Sequence, residues 1–215
     1  MLKQGTTFDE IIKNHYYINL DERNDRMISC EAELKKLGIE KPIRFSAIKN
    51  EIGIIGCGLS HLRCMESAKA EGLPYVCIFE DDIIIPKPNK VRNQVNRILS
   101  SGEKWDVLLL SGNTFKPHRR VEEDFIHVKV SYTTTAYIVA EHYYDTLIEN
   151  LRTGVVMLMR NPTDRHFSLD CWWIQLQQID TFLLLNPVTI YQKEGYSDIE
   201  NKDVDYKNLI LNIDK

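Results

Sequence analysis

Short apolar runs alternate along the chain with segments whose apolar positions recur every three or four residues. Continuous runs of about five suit buried strands, and the three-to-four spacing suits helices with one buried face. Residues 15–20 therefore predict a first strand. A helix follows, with Met27, Cys30, Leu34 and Leu37 on one face and Gly38 as its stop. A second short strand is expected over 43–48, and a helix over 56–70 with Leu59, Leu62, Met65 and Ala68 inward. Residues 75–79 read as a buried strand, 91–99 as a helix, 107–110 as a core strand, and 134–140 as a strand feeding a helix that carries Tyr144, Leu147, Ile148 and Leu151. Leu169, Trp172, Trp173 and Leu176 repeat the helical spacing before strand-like 181–185, and from Pro187 onward the pattern is irregular. This alternation predicts an α/β chain folded as one Rossmann-like domain over 1–215. Its central sheet is expected to be mostly parallel, with ligands at the carboxyl ends of the strands.

The charge balance removes some partners. Twenty-seven basic and 31 acidic residues leave a net charge of -4, which gives no electrostatic reason to expect nucleic acid. The basic residues within 104–129 are interleaved with acids and read as a solvated face. Five cysteines, an odd number with apolar neighbours and no C-x-x-C pair, read as reduced and buried thiols. With Cys and His not at ligand spacing, a zinc site is not expected. The first 13 residues hold charge without an apolar run, so no signal peptide is expected. No run reaches the roughly 18 apolar residues of a membrane span. The expected location is cytoplasmic, with peripheral membrane contact at most.

The most informative feature is Glu80-Asp81-Asp82, three acids directly after the apolar run Tyr75-Val76-Cys77-Ile78-Phe79. Strand periodicity places Glu80 and Asp82 on one side and Asp81 on the other. Such carboxylates repel one another and favour a hard cation, Mg²⁺ or Mn²⁺, which could bridge a diphosphate. A solvated acidic turn is the plainer alternative. The apolar Ile83-Ile84-Ile85 that follows argues against it, because charge inside a buried run is costly without a partner.

Beyond this cluster the chain resembles glycosyltransferase family 25, which includes bacterial lipopolysaccharide galactosyltransferases and collagen galactosyltransferases. Tyr17-Ile18-Asn19-Leu20 with Arg23 and Arg26 is similar to the family's opening segment. Leu37-Gly38-Ile39, Arg44-Phe45-Ser46-Ala47-Ile48 and Gly56-Cys57-Gly58-Leu59-Ser60-His61 resemble its next landmarks. Phe79-Glu80-Asp81-Asp82, Thr134-Thr135-Ala136-Tyr137-Ile138 and Tyr196-Ser197-Asp198-Ile199 complete the series in order. One departure is Lys49-Asn50, where many relatives carry Asp or Gly. The resemblance implies a GT-A fold and a UDP-sugar donor carrying galactose or glucose. It also implies a divalent cation, usually Mn²⁺, and inversion at the anomeric carbon onto a glycan, glycolipid or protein acceptor.

Individual residues then receive expected roles. Glu80 and Asp82 are the metal carboxylates. Arg23 and Arg26 suit a diphosphate through their planar forks, or else decorate the first turn of a helix. Asn19 could touch uridine or ribose. Ser60 and His61 are expected near a helix start that attracts anions, and the resemblance supplies most of the reason for a donor role. Cys57 reads as packing. Asp170 is the expected base that takes the acceptor's proton, with Asp164 as fallback and an ordinary helix-start acid as the alternative. Gln192, Ser197 and Asp198 could close over the pyrophosphate as a C-terminal flap. A nucleotidyltransferase, which also uses paired carboxylates, and a catalytically silent sugar-nucleotide-binding module are the rival readings.

Overall fold

The structure, a computed structural model, describes residues 5–215; the part of the N-terminal reading that falls on residues 1–4 lies outside them. A short helix α1 (Phe8–Ile11) leads into strand β1 (His15–Asn19), helix α2 (Asn24–Lys36), strand β2 (Arg44–Ser46) and the long helix α3 (Gly53–Ala70). Strands β3 (Tyr75–Glu80) and β4 (Ile83–Ile84) precede helix α4 (Pro88–Ser101). Four strands follow: β5 (Val107–Leu109), β6 (Asn113–Arg120), β7 (Phe125–Tyr132) and β8 (Ala136–Ala140). Helix α5 (Tyr144–Arg160), the short helices α6 (Leu169–Trp172) and α7 (Ile174–Ile179) and strand β9 (Phe182–Leu185) come next. The chain closes with β10 (Tyr191–Gln192), β11 (Gly195–Ser197), β12 (Lys202–Val204) and helix α8 (Lys207–Leu211).

Eight strands form one sheet in the order β2-β1-β3-β8-β5-β9-β7-β6. Parallel pairings join β2, β1 and β3, and join β5 to β9; β8 and β7 run against their neighbours. All strands but β7 and β8 thus share one direction, giving the mostly parallel α/β sheet expected, though mixed in its pairings. Period-two alternation sorts the side chains. Tyr75, Cys77 and Phe79 of β3 join the core under α1, α2 and α4, with Phe8, Leu34 and Val95. Val76 and Ile78 join the core under α3, α5 and α7, with Met65, Leu147 and Leu176. The same sorting decides where the acids after β3 go.

Four expectations need correction. Segment 104–129 is not simply a solvated face: it supplies most of the hairpin β6–β7, whose inward Phe125, Ile126 and Val128 are buried. In β7 Ile126, Val128 and Val130 alternate with His127, Lys129 and Ser131, a strand period of two carried by a composition that reads as a surface segment. The tryptophan helix is broken at Trp173, and only Trp173 enters the core, while Trp172 is half-buried. The stretch after Pro187 is ordered: β10 pairs with β4, and β11 with β12 form a hairpin beside the acidic cluster. All five cysteines are free thiols, but Cys57 and Cys171 are half-buried rather than buried. No helix among the described residues is long and apolar enough to cross a membrane.

Candidate active site

The sheet's parallel half brings the carboxyl ends of β1, β2 and β3 to one edge, and a cavity of about 440 Å³ opens there. Its walls include Arg23 and Arg26 from around the start of α2, Ile48 to Asn50 after β2, Cys57, Ser60 and His61 of α3, and Glu80-Asp81-Asp82 after β3. Gln192, Ser197 and Asp198 close it from the C-terminal side.

β3 ends at Glu80, so alternation carries only the first two acids. Glu80 turns toward α3, where its Oε1 lies 3.4 Å from His61 Nε2. Thr134 Oγ1 donates to Glu80 Oε1 at 2.7 Å and Gln192 Nε2 donates to Oε2 at 3.3 Å. Asp81 turns toward α2, accepting from Asn19 Nδ2 at 2.7 Å and Arg26 Nη1 at 3.0 Å. The expectation that Asp82 shares only the Glu80 side is corrected here. The chain turns after Glu80, and Asp82 also meets Arg26, at 3.5 Å.

The three carboxyls differ in acidity. Burial pushes Glu80 up, but neighbouring His61, with Thr134 and Arg26, outweighs it and holds Glu80 below its usual range. Burial raises Asp81 against the pull of Arg26 and Asn19. Asp82 is raised to about 7, by burial first and by the charge of Glu80 next, with Arg26 opposing. Its Oδ1 is buried and lacks a hydrogen-bond partner among the described residues. A half-buried carboxyl with a buried, unused oxygen, its proton held more tightly than usual until a cation replaces it, fits the hard divalent cation that the resemblance implies.

The structure explains residue by residue why Gly56-Cys57-Gly58-Leu59-Ser60-His61 takes that form. A Cβ on Gly56 would stand 2.5 Å from Ile48 O, so only glycine admits the loop after β2. Ser60 Oγ donates to Gly56 O at 2.7 Å and accepts from Ile48 N at 2.8 Å, pinning that loop. The expectation of a helix start is corrected: α3 begins at Gly53, so Ser60 and His61 lie two turns in, and Ser60 acts through Ile48. His61 is fully buried, with Nδ1 2.8 Å from Tyr137 Oη. Cys57, expected as packing, instead lines the cavity one helical turn before His61. The statement that Cys and His are not at ligand spacing fails here: Cys57, His61 and Glu80 place one ligand atom each within 4.8 Å of one another.

Other expected residues divide. Arg26 Nη2 donates to Tyr196 O at 2.7 Å, and Arg23 Nη1 donates to Asp198 at 2.5 Å, so both arginines reach across to the β11–β12 hairpin. Asn19 is buried and saturated, donating to Asp81 and Arg23 O and accepting from Arg44 Nε at 3.0 Å. It positions Asp81, and both of its amide protons are spent on protein partners. Ser197 Oγ accepts from Glu200 N at 3.2 Å within the hairpin. Lys49, the departure noted above, pairs with Glu22 on the cavity wall.

A second cavity, of about 520 Å³, adjoins the first. Cys57, Glu80, Gln192, Ser197, Ile199 and Tyr206 line both. Asp170 lies in the second, accepting from Ser168 Oγ at 3.1 Å and from Thr133 N at 3.2 Å. Thr133 has φ +67°, an unusual conformation for a β-branched residue, and the Asp170 contact helps hold it. Asp164, the fallback, caps a turn through His166 N and lines neither cavity. Thr133 and Thr134 are the site residues that sequence reasoning missed as a pair of contacts; their adjacency to the strand motif at Ala136 was the available signal.

The fold is an α/β arrangement whose carboxylate-ended core strand faces a cavity. The chain is similar to glycosyltransferase family 25, whose model, described as LPS biosynthesis protein, matches residues 51–157. A curated relative, "Probable inactive glycosyltransferase 25 family member 3" of Rattus norvegicus, is 27% identical over 167 residues. That match takes in 69% of this chain and 29% of the relative, so the chain spans less than a third of that relative's length. Among solved structures, A197 from STIV is 7% identical with TM-score 0.48, covering 89% of this chain and 92% of the other. A glycosyltransferase involved in glycosylation of the major capsid of PBCV-1 is 8% identical with TM-score 0.46, covering 81% of each chain. Mannose-1-phosphate geranyltransferase from Thermus thermophilus is 10% identical with TM-score 0.45, covering 80% of this chain and 72% of the other. All three scores lie below 0.5, a level of likeness that carries no argument about the site.

Proposed function

We propose that the protein moves a hexosyl unit, galactose or glucose, from a UDP-sugar to a hydroxyl of a glycan, glycolipid or hydroxylated protein, with inversion at the anomeric carbon. The observation that carries this reading is the pair of adjoining cavities with Glu80 on their shared wall and Asp170 in the second. Donor and acceptor can then occupy separate spaces that meet at the reacting centre.

The first cavity takes the nucleotide diphosphate. Arg26 and Arg23 present their guanidinium groups to its oxygens, and both are fixed by carboxylates and by the hairpin that closes the cavity. Glu80 and Asp82 would hold the divalent cation, Mn²⁺ or Mg²⁺, which supplies charge neutralisation for the leaving diphosphate when bound. Gln192 orients Glu80, and the β11–β12 hairpin excludes water from the donor side. In the second cavity Asp170 takes the proton from the attacking hydroxyl as the new glycosidic bond forms and the bond to UDP breaks. Its two donors, Ser168 Oγ and Thr133 N, keep the carboxylate aimed.

Calorimetry with UDP tests the donor half. Binding in the presence of Mn²⁺ should weaken sharply with EDTA or in Asp82→Ala. Equal affinity with and without metal removes the cation from this account. A catalytically silent module remains the second reading, because the curated relative carries "inactive" in its description. It predicts UDP-sugar binding without any turnover.

A further inference from the structure

The cluster of Cys57, His61 and Glu80 is not used by the sugar-transfer reading beyond Glu80. We propose that these three residues form a second metal site, sharing Glu80 with that of the diphosphate cation, for a borderline-soft divalent metal, Zn²⁺ or its reporter Co²⁺, between the two cavities.

Cys57 and His61 stand four residues apart on α3 and so share one helix face. That face looks onto Glu80 at the end of β3, and the three ligand atoms lie within 4.8 Å of one another. One thiolate, one imidazole and one carboxylate form a zinc-type donor set rather than a magnesium one.

The separation of His61 Nε2 from Glu80 Oε1 is the sharper observation. At 3.4 Å it is long for a direct bond; charge-assisted N–H···O bonds fall at about 2.7–2.9 Å. Zinc bonds of about 2.0–2.2 Å, by contrast, set two N or O ligands of a tetrahedral ion about 3.4 Å apart. Nε2 is buried and meets no hydrogen-bond criterion, although the imidazole is fully enclosed.

The outer groups are those of a built site. Tyr137 Oη holds His61 Nδ1 at 2.8 Å, so with the proton on Nδ1 the Nε2 lone pair points at the centre. Thr134 Oγ1 fixes the Glu80 carboxylate from one side and Gln192 Nε2 from the other. Binding would release the Cys57 thiol proton to solvent, leaving a thiolate–metal bond. Three protein ligands leave a fourth position for water, the pattern of open rather than closed zinc sites. Cys57 and Glu80 line both cavities, so that position adjoins the space where the two substrates meet.

The test uses the full chain, stripped with a chelator and titrated with Co²⁺ alone. One of the ions bound per wild-type chain should show a thiolate-to-cobalt charge-transfer band and the visible bands of a four-coordinate ion, and Zn²⁺ should displace it. Cys57→Ser should lose the charge-transfer band and weaken Zn²⁺ binding by at least about tenfold, as should His61→Gln for affinity. Asp82→Asn should keep the band, which separates this site from the diphosphate cation. If His61→Gln fails to fold, Cys57→Ser decides, since Cys57 is only half-buried and the fold of that variant can be followed by circular dichroism. A folded wild type with no band, or a band that survives in Cys57→Ser, overturns the site. Loss of Mn²⁺-dependent UDP binding with the cobalt band intact would instead count against the sugar-transfer reading alone.

Discussion

Arg26 Nη1 stands 3.0 Å from Asp81 and 3.5 Å from Asp82, so a single guanidinium faces both carboxylates of the turn after β3. It is a protein-borne cation at the place where a diphosphate must be received. Removing it should leave one buried and one half-buried carboxylate under-compensated and a donor oxygen without its fork. Losing one charge-assisted contact costs about 1.5–3 kcal/mol, or roughly 10- to 100-fold. Arg26→Gln should therefore raise the donor KM by that factor, and Arg26→Lys should restore only part of it. An unchanged donor KM in Arg26→Gln would place the diphosphate elsewhere.

Asp82 makes the pH dependence distinctive. Its carboxyl is raised from 3.8 to about 7 in the folded chain. Below 3.8 it is protonated in both states and contributes nothing to the pH slope. As pH rises from there to about 7, the unfolded chain releases the proton and the folded chain keeps it, so stability falls; above 7 the penalty is complete. Asp82→Asn removes the penalty. In metal-free protein its Tm should exceed the wild-type value at about pH 8.5, and the gap should shrink near about pH 5. A gap that grows toward acid would contradict the assignment. Glu80 shifts the other way and is present in both proteins being compared.

Asp170 separates catalyst from scaffold. Asp170→Asn keeps its oxygen for Thr133 N and can donate its amide to Ser168 Oγ, whose proton has Arg165 O as an alternative acceptor, but it loses basicity. Turnover should fall about 10²–10⁴-fold. Stability should change by no more than the roughly 0.5–1.5 kcal/mol of one hydrogen bond, and UDP affinity should hold. Single-turnover rates beside thermal melts make the comparison. Near-normal turnover would leave Asp170 with only its role of holding Thr133.

Gly56→Ala probes the loop after β2. The new Cβ would meet Ile48 O at 2.5 Å, too close for either group to stay. Ile48 to Asn50 must shift away from the cavity, weakening UDP binding while the sheet stays folded. Calorimetry with UDP and far-ultraviolet circular dichroism read the two effects. Unchanged affinity would show that this wall does not touch the nucleotide.

Much of the sheet was legible because its strands are short and buried on both faces, so β1, β3, β8 and β9 read as apolar runs. The β6–β7 hairpin was not, because Arg119, Arg120, His127 and Lys129 give it the composition of a surface segment. In the site, Glu80 and Asp82 were visible from the strand they end. Strand periodicity failed at Asp82 because the chain turns there, and turns are not written in alternation. Asn19 and Ser60 show the other difficulty. Each was read as a ligand contact from its type and place, yet each is consumed by protein partners, Asp81 in one case and Ile48 in the other. Cys57 was hidden because its partner across space, Glu80, is 23 positions further along the chain.

The most direct test of sugar transfer is UDP release from a panel of UDP-sugars with Mn²⁺, in wild type and Asp82→Asn. The account predicts slow donor hydrolysis with one UDP-hexose in the wild type, abolished by EDTA and lost in Asp82→Asn. UDP-sugar binding with no UDP released from any donor, with or without acceptor glycans, would contradict it and leave a silent nucleotide-sugar-binding module.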